Sequence, residues 1–364
     1  MQPMSDTHFS LLREFSNTPS PSGFEQPLQR IVRREVQGCT DTLETDVMGN
    51  VIACRRAEAG TFAKERAPRV MLAGHCDEIG FMLHYIDEQG FLFFTPIGGV
   101  DAHIVPGQRV HVHSRNGLIL GVVGKKPIHQ IDPKERDTVI KFKAQFIDIG
   151  VEDRDAALEL VSIGDPVTFV HGMERLQGSL ATSRAFDDKM GAFIVTRVMQ
   201  EVCARQGNKV DLYSVTTVQE ELGLRGAISS TYGVNPDVGI AVDVGFATDF
   251  PGQDKAEVGD FKVGKGPVIA CGANINPVLF DLISTTAQDK QIPIQIGGHA
   301  RATGTDASAM QLSRGGVAAA LLSVPLRYMH SPVEVLSLDD IEASIELLTE
   351  VVLRIDSTTS FIPT

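Results

Sequence analysis

The sequence Val218-Gln219-Glu220-Glu221-Leu222-Gly223 places two adjacent carboxylates and a glycine at the end of an apolar run. The run, residues 212–218, is rich in β-branched and aromatic residues, which predicts a buried strand. Side chains alternate along a strand, so Glu220 and Glu221 should point to opposite sides if strand geometry continues through them. One carboxylate could then bind a metal ion while the other accepts a proton. Taken alone, such a pair is more often a solvated strand end than a site.

The composition describes an acidic chain with enough apolar residues for a sizeable core. The chain has 364 residues, 43% of them hydrophobic, and a formal net charge of −13. This length suggests two domains. The negative charge argues against a nucleic-acid or anionic-membrane partner, and no apolar stretch approaches the ~20 residues of a membrane span. We therefore expect neither nucleic acid nor membrane as a partner.

The cysteines and the first residues bear on the cellular compartment. The five cysteines are odd in number and scattered, and none belongs to a Cys-x-x-Cys pair. This pattern is typical of reduced thiols and argues against both a disulfide framework and a thiolate zinc site. The first six residues lack the basic start and apolar stretch of a signal peptide. We therefore expect a cytoplasmic protein in which any metal is held by histidines and carboxylates.

Two kinds of residue pattern follow one another along the chain. Between residues 80 and 172, short apolar strands are separated by Gly, Pro and Asn turns, which predicts a small, barrel-like all-β domain. The flanking segments, 1–79 and 173–364, alternate apolar runs with amphipathic helical patterns. The sequence thus predicts an α/β domain with a mostly parallel mixed sheet flanked by helices, interrupted by an inserted all-β domain.

Several polar side chains follow the predicted strands. Ligands collect at the carboxyl ends of strands in open α/β sheets, so one site can gather these side chains. The candidates are two imidazoles and three carboxylates: His75, Asp187, Glu221, Asp243 and His330. This set suits two divalent ions of the zinc or cobalt kind. Some members also have an ordinary alternative: Asp187 can cap the helix beside it, and His75 can be a core histidine paired with Asp77.

The same residues support hydrolytic chemistry. Two ions about 3.5–4 Å apart lower the pKa of a shared water and clamp the attacking and leaving groups. Glu220, beside the ligand set but outside it, would take the proton from this water and hand it to the leaving amine. Asp77 shares a strand face with His75 and would orient its imidazole.

The order and spacing of these motifs resemble the M42 family of metallopeptidases, the glutamyl and leucyl aminopeptidases that include the tetrahedral (TET) enzymes. The matching stretches are 73–80 (AGHCDEIG), 185–189 (AFDDK), 218–223 (VQEELG), 241–243 (AVD) and 327–332 (RYMHSP). Residues 21–25 (PSGFE) and 304–307 (GTDA) are further landmarks. The resemblance covers nearly the whole chain.

Carried over residue by residue, the resemblance implies two metal sites that share one ligand. The first consists of His75, Asp187 and Asp243, and the second of Asp187, Glu221 and His330. Asp187 would bridge the two ions, Glu220 would be the general base and Asp77 would support His75. The implied activity is a metal-dependent aminopeptidase that removes N-terminal residues from peptides, through attack of a metal-bridging water.

The resemblance also implies an assembly. In the family the inserted domain pairs subunits, and dimers associate into a hollow tetrahedral dodecamer. We therefore expect a homo-oligomer, with residues 80–172 serving dimerisation. No residue of this segment is recognisable as part of the site.

Other functions stay open at this point. One is a co-catalytic metal deacylase or desuccinylase, although in the related M20 enzymes the extra domain follows the Glu-Glu pair, whereas here it separates His75 from Asp187. A glycosidase is a second alternative, but neighbouring carboxylates on one strand do not straddle a sugar bond as a retaining pair ~5 Å apart must. A non-catalytic scaffold would have lost a ligand, and all five are present. The preferred N-terminal residue and the native metal stay open.

Overall fold

The computed structural model describes residues 3–58 and 66–364. The strands, in chain order, are β1 (Thr42–Thr45), β2 (Val51–Arg55), β3 (Arg69–His75), β4 (Gly80–Ile86), β5 (Leu92–Ile97), β6 (Arg109–Ser114), β7 (Gly117–Lys125), β8 (Gln145–Asp148), β9 (Pro166–Phe169), β10 (Glu174–Arg175), β11 (Leu180–Ser183), β12 (Asp211–Thr217), β13 (Val238–Phe246), β14 (Val268–Gly272), β15 (Gln295–His299), β16 (Ala318–Leu326) and β17 (Glu334–Ser337). The α-helices are α1 (Asp6–Asn17), α2 (Gln26–Val36), α3 (Arg154–Leu160), α4 (Phe186–Arg205), α5 (Arg225–Val234), α6 (Lys255–Val258), α7 (Pro277–Lys290), α8 (Asp306–Gln311) and α9 (Leu338–Arg354).

Eight strands form a mixed sheet in the order β1-β2-β12-β3-β13-β16-β14-β15. The central strands β12, β3, β13 and β16 run parallel to one another, and antiparallel pairing is confined to β1, β2 and the β14–β16 contact. The central strands are buried almost throughout, because helices cover both faces of a parallel sheet. The predicted mostly parallel mixed sheet is confirmed.

Side chains on the two faces of β3 enter different cores. Val70 and Leu72 pack in the large apolar cluster that includes much of α4 and α9. Met71 and Ala73 instead pack with a small cluster that includes side chains of α5 and α8. This alternation is the pattern of a strand covered on both faces. The candidate site lies at the carboxyl ends of the parallel strands.

The predicted all-β unit is a closed barrel with the strand order β4-β5-β8-β7-β6-β9. Its core is aromatic, and the ring of Phe81 meets those of Phe94 and Phe169 edge to face at centroid distances of 4.9 and 5.3 Å. Edge-to-face packing is favoured for buried aromatic pairs. The barrel confirms the predicted insert, whereas the exact domain boundaries at residues 80 and 172 stay a prediction.

A three-stranded sheet, β10-β11-β17, was not predicted from the sequence. Its strands have two to four residues, which is too short for a readable period. It pairs Ser183 with Glu334 and thereby joins the segment before α4 to the segment after β16.

Among the described helices, none has both the length and the apolar composition to cross a bilayer.

The backbones of β3 and α4 touch at Gly74 and Gly191. A Cβ on Gly74 would lie 2.4 Å from the carbonyl carbon of Gly191 and 2.7 Å from the nitrogen of Ala192. Such distances are far inside van der Waals contact, and the obstructing atoms are backbone. Glycine at position 74 therefore permits the approach that brings the end of β3 to the start of α4.

We expect Gly74→Ala to lower the free energy of unfolding by about 1–3 kcal/mol, because overpacking forces a backbone shift. Gly233→Ala is the matched control: nothing lies within 4 Å of that Cβ, and alanine is favoured over glycine inside a helix such as α5 by about 0.5–1 kcal/mol. Urea denaturation of the two variants measures both effects. A Gly74→Ala protein as stable as the unsubstituted chain would contradict the close contact.

Candidate active site

The candidate side chains meet at the carboxyl edge of the central strands. Five segments deliver them: the end of β3 (His75), the start of α4 (Asp187), the turn after β12 (Glu220 and Glu221), the second half of β13 (Asp243) and the loop between β16 and β17 (His330). This edge is where parallel strands present their last residues together. The structure therefore brings all of the predicted site residues together at this edge of the sheet.

Asp187 lies between the two histidines. Its Oδ1 is 3.1 Å from Nε2 of His75, and its Oδ2 is 3.2 Å from Nε2 of His330. The same Nε2 of His330 is 3.4 Å from Oε1 of Glu221. Each oxygen of one buried carboxylate thus faces a different imidazole, which is the geometry that a bridging ligand requires.

Two groups of side chains have ligating atoms within 4.8 Å of one another. One is Asp187, Glu221 and His330, which is the second site implied by the sequence. The other is His75, Asp188 and Asp243, so Asp188 stands where the sequence suggests Asp187. The oxygens of Asp188, however, accept backbone hydrogen bonds from His75 (3.1 Å) and Gly191 (3.0 Å). Asp187 faces the imidazole of His75 directly, whereas these contacts of Asp188 are with the main chain.

Asp77 organises both sides of the site. The ring nitrogen Nδ1 of His75 lies 3.1 Å from the carbonyl oxygen of Asp77 and 3.5 Å from its Oδ1. The carboxylate also accepts the backbone N–H groups of Glu220 (3.0 Å) and Glu221 (3.2 Å), and the hydroxyl of Ser22 (2.7 Å). Asp77 therefore supports the Glu-Glu turn as well as His75. The contribution of Ser22 was not predicted, although residues 21–25 stood out as a landmark.

The two neighbouring glutamates diverge because of a turn and not because of strand alternation. Strand β12 ends at Thr217, and Gln219 has a φ of +54°. The carbonyl of Glu220 then accepts the N–H groups of Gly223 and Leu224, which closes the turn. The Oε2 of Glu220 lies 3.9 Å from Nε2 of His75, while Glu221 faces His330. The strand geometry expected through these residues is wrong. Their carboxylates nevertheless point in different directions, as expected.

The barrel touches the site, contrary to expectation. The Nδ1 of His330 donates to the carbonyl of Gly99, in the loop after β5, at 2.9 Å. A Cβ on Gly99 would lie 3.0 Å from that nitrogen, and a Cβ on Gly98 would lie 3.1 Å from Oε2 of Glu221. Because a carbonyl can only accept, Nδ1 carries the proton and Nε2 is the nitrogen left to face the site.

Glu334 is a further buried residue that contacts the site and that the sequence did not predict. It lies in β17, and its two carboxylate oxygens accept the backbone N–H groups of Asp187 (3.1 Å) and His330 (3.0 Å). Its partners are main-chain amides, for which the sequence carries no signal. The only available hint was its place four residues after His330.

Two acidic groups of the site, Glu220 and Asp243, resist ionisation. Burial raises the pKa of Glu220 to about 9, an effect opposed by His75 and reinforced by Asp243. Burial likewise raises the pKa of Asp243 to about 8. Hydrogen bonds to Asp187 and Glu221 raise the pKa of His330 to about 11. A positive charge at this position would therefore favour the ionised form of these carboxyl groups.

The donor set fits divalent cations. Nitrogen from two histidines and oxygen from carboxylates are the ligands that zinc and cobalt accept. Within the part of the chain that the structure describes, Oε1 of Glu221 is buried, and its contact with Nε2 of His330, at 3.4 Å, is long for a hydrogen bond. A cation between Asp187, Glu221 and His330 would give that oxygen a partner and balance the buried charge.

Comparison with known proteins gives consistent matches. The family model described as M42 glutamyl aminopeptidase matches residues 49–347. A lysyl aminopeptidase from Pyrococcus furiosus is 35% identical over 342 residues, covering 93% of this chain and 95% of the relative. A solved aminopeptidase from Desulfurococcus kamchatkensis is 34% identical with a TM-score of 0.89, covering 97% of this chain and 96% of its own. The TET1 peptidase of Pyrococcus horikoshii, described as able to assemble into a tetrahedron or a large octahedral shell, is 30% identical with a TM-score of 0.82, covering 96% and 100%.

Proposed function

This chain belongs to the M42 family of aminopeptidases, and from that premise we propose that it is a two-metal enzyme that removes N-terminal residues from peptides. The observation that carries the proposal is the position of Asp187, with one oxygen 3.1 Å from His75 and the other 3.2 Å from His330. One carboxylate with a histidine on each side suits two adjacent ions. The coarser activity, an aminopeptidase and hence a hydrolase, follows from the family itself.

The proposed ligand sets share Asp187. His75 and Asp243 would complete one site, and Glu221 and His330 the other. Zinc and cobalt suit this mixture of imidazole and carboxylate ligands. When bound, two such ions lower the pKa of the attacking water and polarise the scissile carbonyl.

Glu220 is proposed as the general base. Its carboxylate lies beside His75 without belonging to either ligand set, and its backbone is held by Asp77 at 3.0 Å. In this position it would accept the proton of the attacking water and deliver it to the leaving amine. The turn after β12 supports this division of work, because it directs Glu220 and Glu221 toward different histidines.

We also propose a cytoplasmic homo-oligomer built from dimers and assembling to a dodecamer. Strand β7 presents Leu118, Leu120 and Val122 outward, with exposed fractions of 59%, 55% and 47%. Alternate apolar side chains on an exposed strand face are typical of an interface. A second copy of the chain is the proposed occupant, in keeping with the shells described for the related TET1 peptidase. The scattered cysteines support the compartment.

Glu220→Gln is expected to lower kcat by about 10²–10⁴-fold, because the general base is lost. Metal content after dialysis should stay at two ions per chain, measured by plasma emission spectrometry. Asp187→Ala is the contrasting variant and should lose most of its metal, because the shared ligand serves both ions. Near-normal turnover by Glu220→Gln would contradict the base assignment, and two ions retained by Asp187→Ala would contradict the bridging role.

A free α-amine is expected to be required in the substrate. An amine can bind at a metal ion or a nearby carboxylate and so fix the scissile bond over the attacking water. Hydrolysis of a peptide and of its N-acetylated counterpart should be compared on metal-stripped protein with zinc, cobalt or manganese added back. Equal rates for the two peptides would favour an endopeptidase or a deacylase instead.

Leu120→Asp is expected to dissociate the assembly, because it places a charge in the proposed apolar interface. Light scattering at low and high metal concentration measures the mass. Val47→Asp is the control, since Val47 is fully exposed in the turn after β1 and should leave the mass unchanged. An unsubstituted protein with the mass of one chain under all conditions would remove the assembly proposal but not the two-metal chemistry.

A further inference from the structure

The buried carboxylate of Glu334 connects the main chains of two proposed metal ligands. Its Oε2 accepts from the N–H of Asp187 at 3.1 Å, and its Oε1 accepts from the N–H of His330 at 3.0 Å. The residue is only 2% exposed. Neither contact involves a ligating atom, so Glu334 acts on the backbone of the ligands and leaves their side chains free.

Both of these N–H groups lie in irregular backbone. His330 has a φ of +61°, and Asp187 departs from helical geometry with φ −76° and ψ 105° although it lies at the start of α4. Neither position belongs to a regular hydrogen-bonding pattern that would supply an acceptor. An unpaired buried N–H costs about 1–3 kcal/mol, and a carboxylate is a stronger acceptor than a carbonyl. Glu334 therefore stabilises two conformations that are otherwise unfavourable.

The short sheet around β17 holds Glu334 itself in place. Glu334 pairs with Ser183 of β11, and the chain runs from there through residues 184–186 to Asp187. On its other side, Glu334 is joined to His330 by the loop 331–333. One carboxylate thus spans two segments that are distant in sequence, and the distance between its oxygens limits how far their backbones can separate. The side chains of these segments meet 3.2 Å apart, from Oδ2 of Asp187 to Nε2 of His330.

We propose that Glu334 is a positioning residue that sets the affinity of the metal site formed by Asp187, Glu221 and His330. The proposal rests on the two-metal function argued above. Loss of the connection would let His330 and Asp187 move independently, and a site whose ligands must be ordered on binding holds its ion less tightly. Supporting contacts of this kind typically change metal affinity 10- to 100-fold. The other site shares Asp187, but its two remaining ligands, His75 and Asp243, have no contact with Glu334 within the described contacts. Its affinity should therefore change less than that of the site in which Glu334 holds both Asp187 and His330.

The test is a zinc titration of metal-stripped protein by calorimetry, with Glu334→Gln against the unsubstituted chain. Glutamine keeps the size and one acceptor, but its NH₂ group faces the other backbone N–H. We expect two binding events in the unsubstituted protein, and in the variant a 10- to 100-fold weakening of one of them. The rate of peptide hydrolysis by the variant at limiting zinc should fall because this site is then only partly filled. Excess zinc should restore kcat.

Asp340→Asn is the matched control. Asp340 is also a buried carboxylate that accepts two backbone N–H groups, from Gly264 and Gly266, each at 2.7 Å, and it lies in α9 outside the site. Its substitution should lower the thermal midpoint as Glu334→Gln does, while the zinc titration stays unchanged. This separates an effect on the metal from a general loss of stability.

Each outcome has one meaning. Two events in the unsubstituted protein, and the same two in Glu334→Gln, would overturn the role of Glu334 and leave the two-metal function standing. Equal weakening of both events in Glu334→Gln, or the same change in Asp340→Asn, would reduce Glu334 to a structural residue. A total of one zinc ion or none bound per unsubstituted chain would overturn the two-metal function and, with it, this inference.

Discussion

The contact of one carboxylate with two imidazoles is the interaction on which the site depends. Asp187 can meet His75 and His330 only if the end of β3, the start of α4 and the loop after β16 come together. Burying this many acidic groups is costly unless they are hydrogen-bonded or balanced by cations. Backbone N–H groups donate to the buried carboxylates of Asp77 and Glu334, and the charge on the remaining carboxylates is what a pair of divalent ions would neutralise.

The fold meets this requirement at the level of the backbone. Parallel strands deliver their last residues to one edge, which explains why His75, Asp243 and the Glu-Glu turn are neighbours. The missing Cβ atoms of Gly74, Gly98 and Gly99 then allow α4 and the barrel loop to approach more closely than larger residues would permit. The secondary structure thus brings the proposed ligands close to one another. The close approaches at glycines and the hydrogen bonds to buried carboxylates then fix their relative positions.

The sequence predicted what depends on side-chain pattern and missed what depends on main-chain contacts. The central strands were readable because their apolar runs are long, and His75, Asp77 and Asp243 were candidates because a polar group at the end of such a run is conspicuous. The turn at Gln219 was not readable, since its positive φ leaves no mark in the residue types. Glu334 was missed for a similar reason: it binds amides, and any residue except proline provides an amide. The short sheet that carries Glu334 lacks a period long enough to detect.

The spacing of the proposed ligands has a consequence for biosynthesis. They are distributed from residue 75 to residue 330, with the barrel emerging between the first and the second of them. A chain leaving the ribosome folds from its amino-terminal side, so His75 is exposed to solution long before Asp187, and His330 arrives last. A nascent polypeptide accordingly carries an incomplete set of donors and no bridging pair. On the proposed two-metal function, the site could not be completed before residue 330 has been made, and metal binding would be a late step in maturation.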